Sequence, residues 1–289
     1  MTDRIAAAPA AVRTVELLTH SHPAALGGGV GAALELAGRH SVELVASAEE
    51  AAKHSSVELG TVPDDALPDL CLVLGGDGTI LSALRRFAGT EVPVFAVNFG
   101  TIGFLSAIER DQLESGLERA LTGGFEVVEL PGLETTGGGQ SVAAFNDVVV
   151  TRRPQGPVAE LSYRLGGEEI GHVRCDGLVA ATPAGSTGYN LANGGPVMAW
   201  GVEGFAVSFI APHTLTARAL VVAPADVLSV VNVGSRVPVE VAFDGAHELD
   251  LAVGEGIEVR FRDGAARLAQ MPGANFYRRM REKFGQLAQ

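Results

Sequence analysis

Residues 68–101, PDLCLVLGGDGTILSALRRFAGTEVPVFAVNFGT, decide how the chain is read. Leu70, Leu72, Val73 and Leu74 form a short apolar run, as expected of a strand buried on both faces. The run stops at Gly75-Gly76-Asp77-Gly78-Thr79. Ile80, Leu81, Leu84 and Phe87 then recur at helical spacing, and residues 92–97 are again strand-like. Strand, glycine turn, helix and strand make one right-handed crossover unit of a parallel sheet. Ligands of such sheets bind beyond the carboxyl ends of the strands, where this turn sits.

The turn combines features that suit an anion. Gly75, Gly76 and Gly78 carry no side chains, so the backbone can bend tightly and a ligand can approach closely. The following helix offers unpaired N–H groups and the positive end of its dipole, and Thr79 adds a hydroxyl. These four residues are the phosphate-binding candidates. Asp77 is the odd member, because a carboxylate repels phosphate unless it does chemistry or binds a metal. From the turn alone two roles stay open for it, a cap for a helix beginning near Thr79 and a catalytic group.

Working outward, 289 residues suit two domains, and a hydrophobic content of 47% argues for a globular chain. The net charge of −13 provides no overall field for nucleic acid or an acidic membrane, so an anionic ligand needs local groups. Cys71 and Cys175 are the only cysteines and read as reduced thiols. The start of the chain lacks the pattern of a signal peptide, and no apolar run reaches the roughly 18 residues of a membrane span. The expectation is a soluble, cytoplasmic protein. No cluster of cysteine, histidine or carboxylate side chains has zinc spacing.

Strand-like runs at 14–18 and 42–45, a helix starting late after glycines 27–29 and a short helix or turn at 48–53 complete a parallel α/β layer. The cluster at 27–29 misses the spacing of a dinucleotide fingerprint. Asp111 to Glu114 carry an acidic capping-box pattern ahead of Leu113, Leu117 and Leu121, a helix expected to bridge two domains. After about residue 124 the pattern becomes short strands separated by turns. Hairpins are expected at 137–139, Gly166-Gly167, Asp244-Gly245 and Asp263-Gly264. The final helix interleaves Phe276, Tyr277, Met280 and Phe284 with basic residues and is expected to bury its aromatics. The fold class is therefore an α/β N-terminal domain with a parallel sheet (1–124) plus a mostly antiparallel β C-terminal domain (125–269), followed by a tail (270–289).

Five further stretches give the chain a resemblance. Asn146-Asp147 in AAFNDVVV and DGLVAATPAGSTGYNLANGGP at 176–196, in this order after 75–79, resemble the second and third signatures of the NAD kinase family. VNFGTIGF (97–104), PHTLTARALV (212–221) and NFYRRMREKF (275–284) are similar to the family too, so the likeness runs from about residue 68 onward. The glycine-aspartate turn by itself is shared with lipid kinases.

The resemblance implies a kinase that phosphorylates the 2′-hydroxyl of the adenosine ribose of NAD, with Mg²⁺ and with ATP or polyphosphate as donor. It implies Asp77 as the base and a C-terminal helix returning to the first domain. Asn146 would face adenine and Asp147 the ribose hydroxyls, though the family has Glu where this chain has the shorter Asp147. Asp176 would lie near the nicotinamide end, in some members across a subunit contact. Arg174, two residues earlier, is expected to pair with Asp176 or to meet substrate phosphate. In PAGSTGYN, Thr187 can hydrogen-bond and Tyr189 can stack on a flat ring, and Gly78, Phe99, Gly188 and Ala192 are further substrate-binding candidates, with Gly188 standing where Ala is usual. Ala184 and Ala246 stand where polar residues are common. Dimers or tetramers are implied. His213 and His247 read as structural. The alternatives are a lipid kinase and a non-catalytic dinucleotide sensor.

Overall fold

The computed structural model describes residues 5–54, 57–62, 67–100, 103–137, 140–234 and 237–285, so residues 101–102 of VNFGTIGF and the expected hairpin tip at 138–139 lie outside it. The chain divides into two compact units, Leu130–Ala265 (with Met1) and Thr2–Glu129 with Ala266–Gln289.

In the second of these, the strands Gly60–Thr61, Glu43–Ala46, Thr14–Thr19, Leu70–Gly75 and Pro93–Asn98 lie side by side in that order, every pairing parallel. The short strand Ile108–Glu109 and residues Arg267 and Leu268 also pair with Pro93–Asn98 in parallel. Leu70–Gly75 and Pro93–Asn98 are buried along their whole length, which is why both read as unbroken apolar runs rather than alternating ones. Helices Gly29–Arg39, Ala48–Ala52, Asp77–Arg86 and Leu113–Leu121 connect or flank the strands. Leu17, Leu72, Leu74, Phe95, Leu117 and Ala269 share one core, so the chain segment beyond residue 265 completes this unit. Gln270 Nε2 donates to the carbonyl of Leu105, and Phe284 packs on Phe104 with ring centroids 5.2 Å apart.

Several expectations need correction. The helix of 113–121 has Gln112 at its cap position with no side-chain cap bond, because a 3₁₀ turn, Arg110–Gln112, takes up the residues of the supposed capping box. Its apolar face, Leu117, Ala120 and Leu121, is buried in the core of the α/β unit, so it is a packing helix of that unit rather than a bridge. On the last helix, Phe276–Phe284, Phe276 is buried but Tyr277 is 62% exposed. One residue is 100° of helical rotation, enough to carry the neighbour of a buried side chain into water.

The unit Leu130–Ala265 is antiparallel. One sheet of six strands runs Leu220–Val222, Phe205–Ile210, Gly177–Ala181, Asp147–Arg152, Val239–Phe243, Ala246–Leu251. Glu168–Cys175, Ala159–Leu165, Leu228–Asn232 and the start of Gly256–Gln270 form a second run of neighbours. Val148, Leu178, Val241 and Phe243 from the first meet Leu161, Val173, Val230 and Val259 from the second in one core, a sandwich. Two expected hairpins form: Leu165 pairs with Glu168 across Gly166-Gly167, and Phe243 with Ala246 across Asp244-Gly245. All four turn residues have positive φ, the conformation a two-residue type I′ connection needs. Gly137 pairs with Gln140 at the third.

Asp263-Gly264 is not a hairpin. Gly256–Gln270 is one strand that runs through it, with Gly264 at φ 58°. Residues before the glycine pair antiparallel with Leu228–Asn232, and residues after it pair parallel with Pro93–Asn98, so the positive φ bends a strand that changes partners instead of reversing it.

Phe95 is fully buried and meets Phe125 edge-on at 6.0 Å. Phe95→Ala is expected to cost about 3–5 kcal/mol of unfolding free energy, read from the midpoint of a urea titration.

Candidate functional site

Gly75 ends its strand, Gly76 caps the helix Asp77–Arg86, and the helix therefore begins at Asp77, two residues earlier than the sequence suggested. Gly75 is required by packing, since a Cβ there would come within 2.6 Å of Thr79 Oγ1. Gly78 is not, because a Cβ there would meet nothing within 4 Å. The fold leaves the space over Gly78 open, beside first-turn amides that have no intrahelical partner.

Asp77 does not cap its own helix. Its carboxylate accepts the backbone N–H of Phe104 at 3.1 Å and of Leu105 at 3.5 Å. Burial pushes the carboxyl above the ordinary carboxylate value. The two amides and the charges of Arg279 and Lys283 oppose that shift.

A cavity of about 590 Å³ opens beside the turn, lined by Gly76, Gly78, Thr79 and Ser82 and by His20, Ser47, Lys53 and Arg86. Its floor is ionic. Arg86 pairs with the buried Glu16 at 2.7 Å, and Lys53 with the buried Glu50 at 2.7 Å. Thr19 Oγ1 donates to Glu50 and meets His54 Nε2 at 2.8 Å. None of these residues was singled out from sequence, because each is unremarkable alone and only the strand ends gather them. Phe99, a substrate-contact candidate, lies in this same unit with Arg110 over its ring at 5.3 Å.

In the β unit, Asn146 and Asp147 sit where the strand Asp147–Arg152 begins. Asp244 fixes them: its carboxylate accepts the N–H groups of Phe145 at 3.0 Å and Asn146 at 2.6 Å, and its own N–H donates to the Asp147 carbonyl. Thr182 Oγ1 donates to the Phe145 carbonyl and accepts the Gly185 N–H. A side chain at Gly185 would overlap the Asn146 backbone, and a Cβ at Gly188 would lie 3.9 Å from Asp147 Oδ2 and 4.0 Å from Asn146 Nδ2. The structure thus brings Asn146, Asp147 and Gly188 together. Among the described residues neither the Asn146 side-chain amide nor the Asp147 carboxylate has a hydrogen-bond partner.

The rest of the loop is held from within. Thr187 Oγ1 donates to the Ala184 carbonyl at 3.2 Å, and Ser186 and Asn190 anchor the loop to 183, 196 and 198. Tyr189 opens the short helix Tyr189–Ala192 and is 45% exposed, with its ring available for stacking. Asp244 and Thr182 were missed as anchors. The Asp-Gly turn signal marks a hairpin but not the amides its carboxylate collects.

Arg174 and Asp176 do not pair. Asp176 takes Arg152 at 2.7 Å, which holds its carboxyl below the ordinary value, and Arg174 lies 3.4 Å from Glu160. The expected pairing assumed one continuous strand. Instead Glu168–Cys175 ends and Gly177–Ala181 begins in the other sheet, so the chain turns between them at Asp176. Asp147 pairs with Ala181 and Thr151 with Gly177, which places Arg152 and Asp176 at the opposite end of the strand from Asn146, roughly 20 Å away at a rise of about 3.4 Å per residue. The His213 N–H donates to the Arg174 carbonyl, a structural role. His247 lies in the strand Ala246–Leu251.

Both halves of the chain match family models. Residues 13–125 match the ATP-NAD kinase N-terminal domain and 145–271 the ATP-NAD kinase C-terminal domain. The chain belongs to the NAD kinase family. It is 36% identical to an NAD kinase of Symbiobacterium thermophilum over 74% of this chain and 78% of that one. It is 32% identical to an NAD kinase of Geobacter sulfurreducens over 80% and 84%. Among solved structures, an NAD kinase from Archaeoglobus fulgidus in complex with ATP superposes with a TM-score of 0.72 at 25% identity, over 95% of this chain and 98% of that one. Yeast NADH kinase complexed with NADH shares the fold at a TM-score of 0.84 and 23% identity, over 98% and 94%. Among the described residues no helix is long and apolar enough to cross a membrane.

The Asp147 environment gives a pH test. Burial, with the charge of Asp244 adding to it, pushes this carboxyl up to about 7. The folded protein then holds a proton that the unfolded chain releases near pH 4. That binding favours folding at low pH, and the advantage is lost as pH rises towards 7. Asp147→Asn is expected to flatten this slope, raising the melting temperature relative to wild type more at pH 8 than at pH 5. An equal difference at both pH values would remove Asp147 as its source.

Proposed function

We propose that this chain is an NAD kinase acting on the 2′-hydroxyl of the adenosine ribose of NAD, with ATP or polyphosphate as donor, to give NADP. The observation that carries this reading is the carboxylate of Asp77. It opens the helix after the glycine turn, is gripped by backbone amides, and has an elevated pKa that suits a proton acceptor.

Asp77 takes the proton from the ribose hydroxyl as its oxygen bonds to the transferred phosphorus, and the bond from phosphorus to the leaving donor oxygen breaks. Gly75, Gly76, Gly78 and Thr79 present amides and a hydroxyl to the donor phosphates. Asn146 and Asp147, whose side chains have no hydrogen-bond partner among the described residues, take adenine and the ribose hydroxyls. Gly188 leaves room for a flat ring, with Thr187, Tyr189 and Ala192 in the same loop, and Phe99 of the α/β unit is a further substrate contact. Arg174, which does not pair with Asp176, meets substrate phosphate, and Asp176, remote from Asn146, serves the nicotinamide end across a contact with a neighbouring copy in a dimer or tetramer. We place the enzyme in the cytoplasm, a compartment that suits its two free, buried cysteines.

Among the described residues no group of three or more ligating side chains could hold a metal ion. In this proposal Mg²⁺ would come with the donor phosphates and supply charge neutralisation there.

Purified protein assayed with NAD and NADH against ATP and polyphosphate, with diacylglycerol as control acceptor, tests the reading. Phosphorylation of diacylglycerol alone, or tight NAD binding without NADP, would replace it with the lipid kinase or the sensor. Asp77→Asn is expected to fold and to lose on the order of 10²–10⁴ in turnover. Gly78→Ala should match or exceed wild-type stability, by up to about 1 kcal/mol, while its KM for the donor rises.

A further inference from the structure

The loop that grips Asp77 is itself gripped by the last helix. Arg279 Nη1 donates to the carbonyls of Phe104 at 2.6 Å and Ser106 at 2.5 Å, and its other terminal nitrogen donates to Gln270 Oε1. Gln270 Nε2 holds the carbonyl between them, that of Leu105, at 3.0 Å. Three successive carbonyls are thus fixed from 270–279, while the N–H groups of Phe104 and Leu105 point to Asp77. One turn further on, Lys283 meets Glu109 at 2.6 Å, Glu109 accepts the Asn98 amide at 2.7 Å, and Asn98 accepts the Gly100 N–H. The helix therefore clasps the segment after Pro93–Asn98 at two places.

We propose that Arg279 is a positioning residue for catalysis: by fixing the carbonyls of 104 and 106 it aims the two amides that hold the Asp77 carboxylate. A planar guanidinium suits this task, because its fork reaches several acceptors at once and a lysine ammonium does so poorly. The charged groups that face Asp77 are Arg279 and Lys283, the latter already paired with Glu109, and both favour the ionised carboxylate. The inference rests on Asp77 being the base.

The test is a double-mutant cycle on the full chain, with NADP formation measured from pH 5 to 9. Arg279→Ala is expected to lower kcat on the order of 10–100-fold, with little change in KM, and to move the acidic limb of the profile to higher pH. In the Asp77→Asn background the same substitution should change turnover by less than about twofold, because non-additivity reports residues that act as one unit. Arg279→Lys keeps the charge, so its acidic limb should stay near wild type while kcat still falls. It also decides the matter if Arg279→Ala does not fold. Hydrogen exchange at the Phe104 and Leu105 amides should speed up in every folded Arg279 variant. Equal losses in both backgrounds, or wild-type turnover in Arg279→Lys with unchanged exchange, would overturn the proposal. A wild-type protein that makes no NADP from any donor overturns the functional reading, and this inference falls with it.

Discussion

The α/β unit is organised around a carboxylate that binds backbone instead of side chains. Asp77 stands where a buried strand gives way to a helix, and its oxygens receive consecutive amides from the segment following the next strand. Two strand ends are thereby fixed to each other at the one edge of a parallel sheet where ligands bind. Burial raises the proton affinity of this group, and the amides and nearby cations oppose that rise.

The β unit repeats the device with a different aspartate. Asp244, at a turn with positive φ, collects the amides of Phe145 and Asn146 and so sets the start of the strand that carries Asn146 and Asp147. Asp147 is the contrasting case: buried and close to a like charge, with no hydrogen bond to its carboxylate among the described residues. Its proton affinity rises accordingly. One aspartate fastens backbone and the other keeps its carboxylate unengaged among the described residues, although they lie at the ends of neighbouring strands of one sheet. Removing a fastener and removing an unengaged carboxylate are different perturbations, which is why stability and turnover need separate measurement here.

Much of this was legible in the sequence where the rule at work is local. The unbroken apolar runs at 70–74 and 92–97 gave buried parallel strands, and Gly166-Gly167 and Asp244-Gly245 gave two-residue turns. The same local rules failed where the partner changes along the chain. Asp263-Gly264 carries the same turn signal, yet the strand runs through it because its two halves have different strands to join. Arg174 and Asp176 have strand spacing, yet the chain leaves one sheet between them and each finds another partner. The Asp111 capping pattern lost to a 3₁₀ turn for a similar reason, since packing of Leu117 and Leu121 fixed where the helix begins.

The sequence by itself determined the order of elements, the α/β and antiparallel character of the two halves, and the glycine turn with its aspartate, because periodicity and turn chemistry depend on neighbours a few residues apart. Only the tertiary structure decided what each polar side chain holds. That Asp77 binds amides 27 and 28 residues away, that Asp244 binds amides nearly a hundred residues back, and that Arg279 reaches carbonyls 173 and 175 residues earlier are consequences of strand order and packing. No local pattern encodes such distances, because a hydrogen bond is set by where folded segments meet and not by their separation in sequence.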